Sequence, residues 1–246
     1  TGRRLADSHC PGPQPVSDDA AFYRDQGHAA LPLFDRALVE AAQADIAEHI
    51  DRLSHALYLP FEQSCPDAPL AERLDRIYQN DRSQANLLRV AICTDAHRGP
   101  RLQAIANDPG LRAEAERIGG QALAGKVVRV RASIASFPEH RHAWHSDVAR
   151  DDGVACGQVW TTAWIPLSDA GPGNGGLEII PGRLPAPLAS QTDNGLRITE
   201  EAIAGLPRLQ PECPAGTVLF LDRFTPHRTL PADKARFALV VWFKAA

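Results

Sequence analysis

His145 and Asp147 stand two positions apart in the run Trp144-His145-Ser146-Asp147, and a lone histidine, His227, lies far downstream. In an extended strand, side chains two apart point to the same face, so an imidazole and a carboxylate would share one wall. Two histidines and a carboxylate on one face of an octahedron are the ligand set of a non-haem Fe(II) centre with positions left open. A His-x-Asp pair alone is a common accident of sequence. Its weight comes from the segments that surround it.

Those segments must first supply a scaffold. At 246 residues, with 44% hydrophobic and 23% charged residues, the chain has the make-up of a globular protein with room for a proper core. A net charge of −4 gives no support for nucleic-acid or membrane-surface partners. No apolar run reaches the length of a membrane span, and no signal-peptide pattern opens the chain. Cys10, Cys65, Cys93, Cys156 and Cys213 are odd in number and hold no C-x-x-C. A disulfide framework and a zinc ribbon are therefore not expected, and a reducing cytoplasm is. The sequence contains no methionine, and a processed or trimmed N-terminus is the expected reason for the missing first one.

Residues 1–17 read as a mobile tail. Residues 18–246 read as one unit, helical over about 18–124 and strand-rich over about 125–246. Ser17-Asp18-Asp19 offers an N-cap to a short helix that Gly27 stops, and Asp35 can cap a long amphipathic helix through Leu38, Ala42, Ile46, Ile50 and Leu53. His49 and His55 read as surface or helix-end residues. The stretch from 60 to 85, broken by Pro60, Pro66 and Pro69, is expected to be mainly loop with a helical turn or two. Asn107-Asp108-Pro109 leads into a helix to Ile118. From Lys126 the period becomes two: Val128, Val130, Ala132 and Ile134 make one face, Val127, Arg129, Arg131 and Ser133 the other. Arg129 and Arg131 belong either to a solvent-facing side or to a wall aimed at an acidic substrate group. Further strands are expected at Trp144–Val148, Trp160–Leu167, Leu177–Ile180, Thr217–Leu221 and over the alternating end of the chain, with a polar insertion at 183–215 holding a possible helix at Glu200–Ala204. Helices first and short strands after them indicate an α+β chain with a sandwich or barrel as its catalytic unit.

Several segments, in order, resemble the phytanoyl-CoA dioxygenase-like branch of the Fe(II)/2-oxoglutarate oxygenases. Phe22-Tyr23-Arg24-Asp25-Gln26-Gly27-His28 with Leu31-Pro32-Leu33-Phe34 is similar to the family's opening, and Trp144-His145-Ser146-Asp147 to its His-x-Asp segment. Trp164–Asp169 followed by Asn174-Gly175-Gly176-Leu177-Glu178-Ile179-Ile180-Pro181-Gly182 resembles its most recognisable run, and His227 with Arg236 its distal ligand and co-substrate arginine. Where the family commonly continues Pro-Gly with Ser-His, this chain has Arg183-Leu184.

The resemblance implies a double-stranded β-helix (a jelly roll, cupin-like) with N-terminal helices packed on it. It implies iron on His145, Asp147 and His227, with 2-oxoglutarate and O2 as co-substrates. A carboxylate at 147, where related halogenases carry a small residue, points to hydroxylation or to epimerisation, cyclisation or desaturation. Arg236 would take the distal carboxylate of 2-oxoglutarate through its guanidinium fork. An arginine sharing a strand face with Ala238, Val240 and Trp242 needs an anionic partner in any case. By the same resemblance Thr229 would donate to that carboxylate, and Trp164 is either an aromatic wall of the pocket or core. His140 and His142 read as loop residues, His142 facing substrate; their His-x-His spacing also leaves open a cupin-like metalloenzyme that does not use 2-oxoglutarate. A non-catalytic jelly-roll binding protein is the other alternative. The expected partner is a small molecule such as a natural-product intermediate, and the expected assembly a monomer or homodimer.

Overall fold

The computed structural model describes residues 18–138, 141–147, 159–188, 190–191 and 197–246. The expected tail and His140 lie outside the described residues. In chain order the strands are β1 (His28–Pro32), β2 (Leu123–Ser133), β3 (Val159–Pro166), β4 (Leu177–Ile179), β5 (Ser190–Gln191), β6 (Arg197–Ile198), β7 (Thr217–Asp222), β8 (His227–Thr229) and β9 (Arg236–Ala245). β1, β7, β3, β9 and β2 form one antiparallel sheet in that order.

β9 shows why the sheet sits where it does. Its alternation buries both faces, as a strand apolar on both sides must. Phe237, Leu239, Val241 and Phe243 join the core under the helices. Ala238, Val240 and Trp242 join Trp164, Leu177, Leu219 and Leu221 on the opposite face. The strand's one buried cation, Arg236, belongs to that second face, next to Ser133 in the register of β2 against β9.

The helices are α1 (Asp19–Gln26), α2 (Arg36–Ala41), α3 (Gln43–Ala56), α4 (Phe61–Ser64), α5 (Leu70–Asn80), α6 (Arg82–Asp95), α7 (Pro100–Ala106) and α8 (Pro109–Gly119). Asp18 and Asp108 cap α1 and α8 with their carboxylates, each 3.0 Å from a backbone N–H three residues on. Three sequence expectations need correction. The helix from Asp35 breaks at Ala42, whose N–H is shared between the Leu38 and Val39 carbonyls; the break leaves Leu38 exposed while Ile46 and Ile50 are fully buried. The 60–85 stretch is mostly helix, because Pro69 precedes the first turn of α5 rather than interrupting it, and Leu74 and Ile77 are then buried together. His49 is buried, its Nδ1 accepting from Arg52 at 2.7 Å, whereas His55 is exposed as expected.

A smaller sheet faces the second side of β9's sheet. β4 pairs with β8, and single bridges extend the pair outward: His145 against His227, and Leu209 against Ile179. The strand expected at Trp144–Val148 is only this one bridge, as far as the described residues run. The N–H of Ile198 donates to the Trp144 carbonyl at 2.8 Å, so the 183–215 insertion touches the small sheet at both edges. The helix expected at 200–204 is a single 3-10 turn, Glu201–Ile203.

Gly27 ties α1 to this region. Its carbonyl accepts from the Thr225 hydroxyl at 2.7 Å and from the Asp222 N–H at 2.8 Å. Its φ is +72°, and an added Cβ would lie 2.7 Å from Thr225 Oγ1. Gly27→Ala should therefore cost about 1–3 kcal/mol, read as a lower urea midpoint. An unchanged midpoint would show that this turn does not need glycine.

Candidate metal centre and its pocket

His145 and His227 face each other through two backbone hydrogen bonds, His145 N to His227 O at 3.0 Å and the reverse at 2.9 Å. That pairing brings their rings to 4.2 Å between centroids. The Nδ1 of His145 lies 2.7 Å from the Ala143 carbonyl and that of His227 3.1 Å from the Thr225 carbonyl. A carbonyl can only accept, so each Nδ1 carries a proton, which in the neutral ring leaves the Nε2 lone pair for a metal. Asp147 Oδ1 lies 3.9 Å from both Nε2 atoms. Its other oxygen accepts from the Thr162 hydroxyl at 2.6 Å, which turns Oδ1 toward the histidines. All three residues are buried, and one ligand atom from each lies within 4.8 Å of the others. The donor set and its outer hydrogen bonds fit a divalent cation of the non-haem iron type.

These residues open on a partly open pocket whose space, including solvent at its mouth, comes to about 410 Å³. Arg236 lies in its wall, 3% exposed. Its Nη2 donates to Ser133 Oγ at 3.1 Å, while Nε and Nη1 have no partner among the described residues. The guanidinium sits over the Trp164 ring, 5.1 Å from the centroid. Gly175 leaves it room: a Cβ there would lie 2.7 Å from Arg236 Nε. Burial pushes the guanidinium down to about 10, so it is still cationic at neutral pH. Cys213, which acts on it electrostatically, is pushed up to about 12 by its own burial and supplies no counter-charge. The cation is buried and ready for an anion.

The other sequence candidates separate. Thr229, Trp164, Arg131 and His142 line the same pocket. Arg129 does not; its Nη1 turns back to the Val128 carbonyl at 2.8 Å. The His142 ring stands 5.5 Å from that of His145 but is not part of the converging ligand set. Ser146 is fully buried away from solvent. Reading the sequence missed Thr162, although its place on the Trp164 face of a period-two strand carried the signal. It named Trp144 but gave it no role of its own; the residue packs against Ile180, Ile198 and Ile203 with Arg208 and Arg228 over its ring at 5.5 and 5.0 Å. Arg228 is held in turn by Glu178 at 2.6 Å. This packing anchors the residue before the first ligand.

No protein-family model and no curated protein matches the chain. Solved structures do. EvdO2 from Micromonospora carbonacea var. aurantiaca, complexed with 2-oxoglutarate, superposes with a TM-score of 0.60 at 19% identity, covering 95% of this chain and 92% of its own. SnoK, a non-haem alpha-ketoglutarate-dependent carbocyclase from nogalamycin biosynthesis, gives 0.58 at 18% over 94% and 84%. The non-haem monooxygenase ThoJ gives 0.60 at 17% over 93% and 77%. The chain has the fold of the non-haem iron, alpha-ketoglutarate-dependent enzymes. At these identities the likeness is one of fold, and the ligand set above comes from this chain's own geometry. No described helix is long and apolar enough to cross a membrane.

Thr162→Val removes the bond that aims Asp147. Affinity for Zn(II) or Fe(II), measured by chelator competition, should fall about 10–100-fold. An unchanged affinity would show that Asp147 is held by other means.

Proposed function

We propose that this chain is an Fe(II)- and 2-oxoglutarate-dependent oxygenase that hydroxylates an unactivated C–H bond of a small molecule. The balance is one O2 and one 2-oxoglutarate consumed, with one oxygen atom going to the substrate and the other to succinate, and CO2 released. One observation carries the proposal: a buried arginine with two open N–H groups shares a pocket with a converging His-Asp-His set. A site for metal alone has no use for such a cation. A dicarboxylate that reaches from the metal to Arg236 does.

Bound iron would supply activation of O2 coupled to oxidative decarboxylation of the co-substrate. The protein's part is holding, aiming and drying. His145, Asp147 and His227 would hold the metal on one face and leave the other positions open. Arg236 would fork the distal carboxylate, with the Thr229 hydroxyl donating to the same group and Trp164 forming the wall over the guanidinium. Apolar side chains from Leu177, Leu221 and Val240 line the pocket and limit water there. His142, beside His145, would face the substrate. We further read residues 18–246 as one catalytic unit, with the five-stranded and small sheets as facing walls of a jelly roll. The antiparallel pairing throughout and the outward bridges of the small sheet support that reading. Nogalamycin biosynthesis, named for SnoK, supports a natural-product intermediate as the kind of substrate.

Arg236→Met tests the proposal through two opposite signs. A lone buried cation is expensive, so the ligand-free variant should gain about 1–3 kcal/mol of stability. With Zn(II) present, 2-oxoglutarate at about 100 times its Kd should stabilise the wild type by about 2.7 kcal/mol and leave the variant unmoved. A wild type that 2-oxoglutarate does not stabilise, or a variant that it still stabilises, would sink the assignment.

A further inference from the structure

Trp242 lines the pocket and is 2% exposed, yet its indole Nε1 is a buried donor with no partner among the described residues. Buried donors ordinarily find an acceptor. Trp144 also carries an unpartnered Nε1, but it packs among Ile180, Ile198 and Ile203 and does not line the pocket. Trp160, by contrast, donates to the Gly119 carbonyl at 2.9 Å. Arg131 lies over the face of the Trp242 ring, 5.1 Å from the centroid, and cannot satisfy the N–H, because a guanidinium has no acceptor. An acceptor for Trp242 is left to a ligand in the pocket.

The strand register says where along the pocket that acceptor belongs. Thr162, which holds Asp147, pairs with Trp242 in β3 against β9, while Trp164, the ring under Arg236, pairs with Val240. Trp242 therefore marks the level of the metal ligands, and Arg236 reaches the level one step away on the same face. That step of two strand residues is about 7 Å. In an extended five-carbon dicarboxylate, four carbon–carbon bonds of about 1.5 Å set the carboxylate carbons about 5 Å apart, with the oxygens reaching further at each end. The two spans match.

We propose that Trp242 donates its Nε1–H to the metal-side carboxylate of the co-substrate, so that this indole reads the 2-oxo acid end as Arg236 reads the distal end. The inference rests on the oxygenase reading above. A metal by itself leaves the bound acid free to turn, and an in-plane donor on one carboxylate oxygen removes that freedom. It also favours an ionised oxygen over a neutral group at that end. Asp147 and this carboxylate would already balance the two charges of the metal. A neutral donor therefore suits the position, since it steers the carboxylate without adding a cation beside the metal.

The test uses the full chain loaded with Zn(II), which turns nothing over, and 2-oxoglutarate as the probe. In protein carrying isotope-labelled tryptophan, NMR resolves the four indole N–H groups. Trp242→Phe and Trp160→Phe each identify one resonance by its loss. Adding 2-oxoglutarate should move the Trp242 resonance downfield, toward that of the hydrogen-bonded Trp160, while the Trp160 resonance stays in place. Trp242→Phe keeps an aromatic ring at the position. It should weaken 2-oxoglutarate about tenfold and leave the affinity for Zn(II), read by chelator competition, unchanged. A Trp242 resonance that does not move downfield as 2-oxoglutarate binds, or an unchanged Kd in Trp242→Phe, would overturn this inference and leave the oxygenase reading standing. So would a parallel loss of Zn(II) affinity, which marks a merely structural role. If 2-oxoglutarate fails to bind the wild type, the oxygenase reading falls and takes this inference with it.

Discussion

The paired backbone hydrogen bonds between His145 and His227 are what turn two distant segments into one site. Each residue is held from behind as well. On the His227 side, Thr225 orients the ring through its carbonyl and is itself fastened to Gly27 through its hydroxyl. On the His145 side, Trp144 is fixed by Ile198 across its backbone and by two arginines over its ring. The N-terminal helix and the 183–215 insertion thus brace opposite ends of the same bridge. Held from behind in this way, the ligands stay near binding geometry before a metal arrives, which limits the ordering entropy that ligation must overcome.

Arg236 expresses the opposite tendency. Nothing in the stability of the sheet calls for a cation on a strand face shared with Ala238, Val240 and Trp242. Desolvation opposes its charge, and its only hydrogen bond among the described residues is to a neutral hydroxyl. A buried cation with no anionic partner among the described residues supports the proposed role of Arg236 as a binding group. The surroundings agree: glycine at 175 leaves its Nε unobstructed, and the Trp164 ring supplies an aromatic face under the guanidinium.

Much of this was legible in the sequence, for physical reasons that can be named. The ligand types and the strict alternation of β9 survive without tertiary knowledge, because period two assigns faces whatever lies opposite. The caps at Asp18 and Asp108 were legible because capping is local. The helices between 60 and 95 were not, since a proline before a first turn and a proline within a loop look alike in sequence. The break at Ala42 was hidden because alanine fits both a helix and its interruption. Burial of His49 depends on α6 lying across α3, which no local pattern encodes. Thr162 stayed hidden because its role is defined by a carboxylate from another segment.

The central claim is that one pocket holds a metal and a dicarboxylate together, and spectroscopy reads that directly. Anaerobic titration of the metal-free protein with Fe(II), then with 2-oxoglutarate, should produce the visible charge-transfer band of a chelated 2-oxo acid. The band should be absent in His145→Ala. Iron binding with no band on adding 2-oxoglutarate would contradict the account and leave a metal site of another kind.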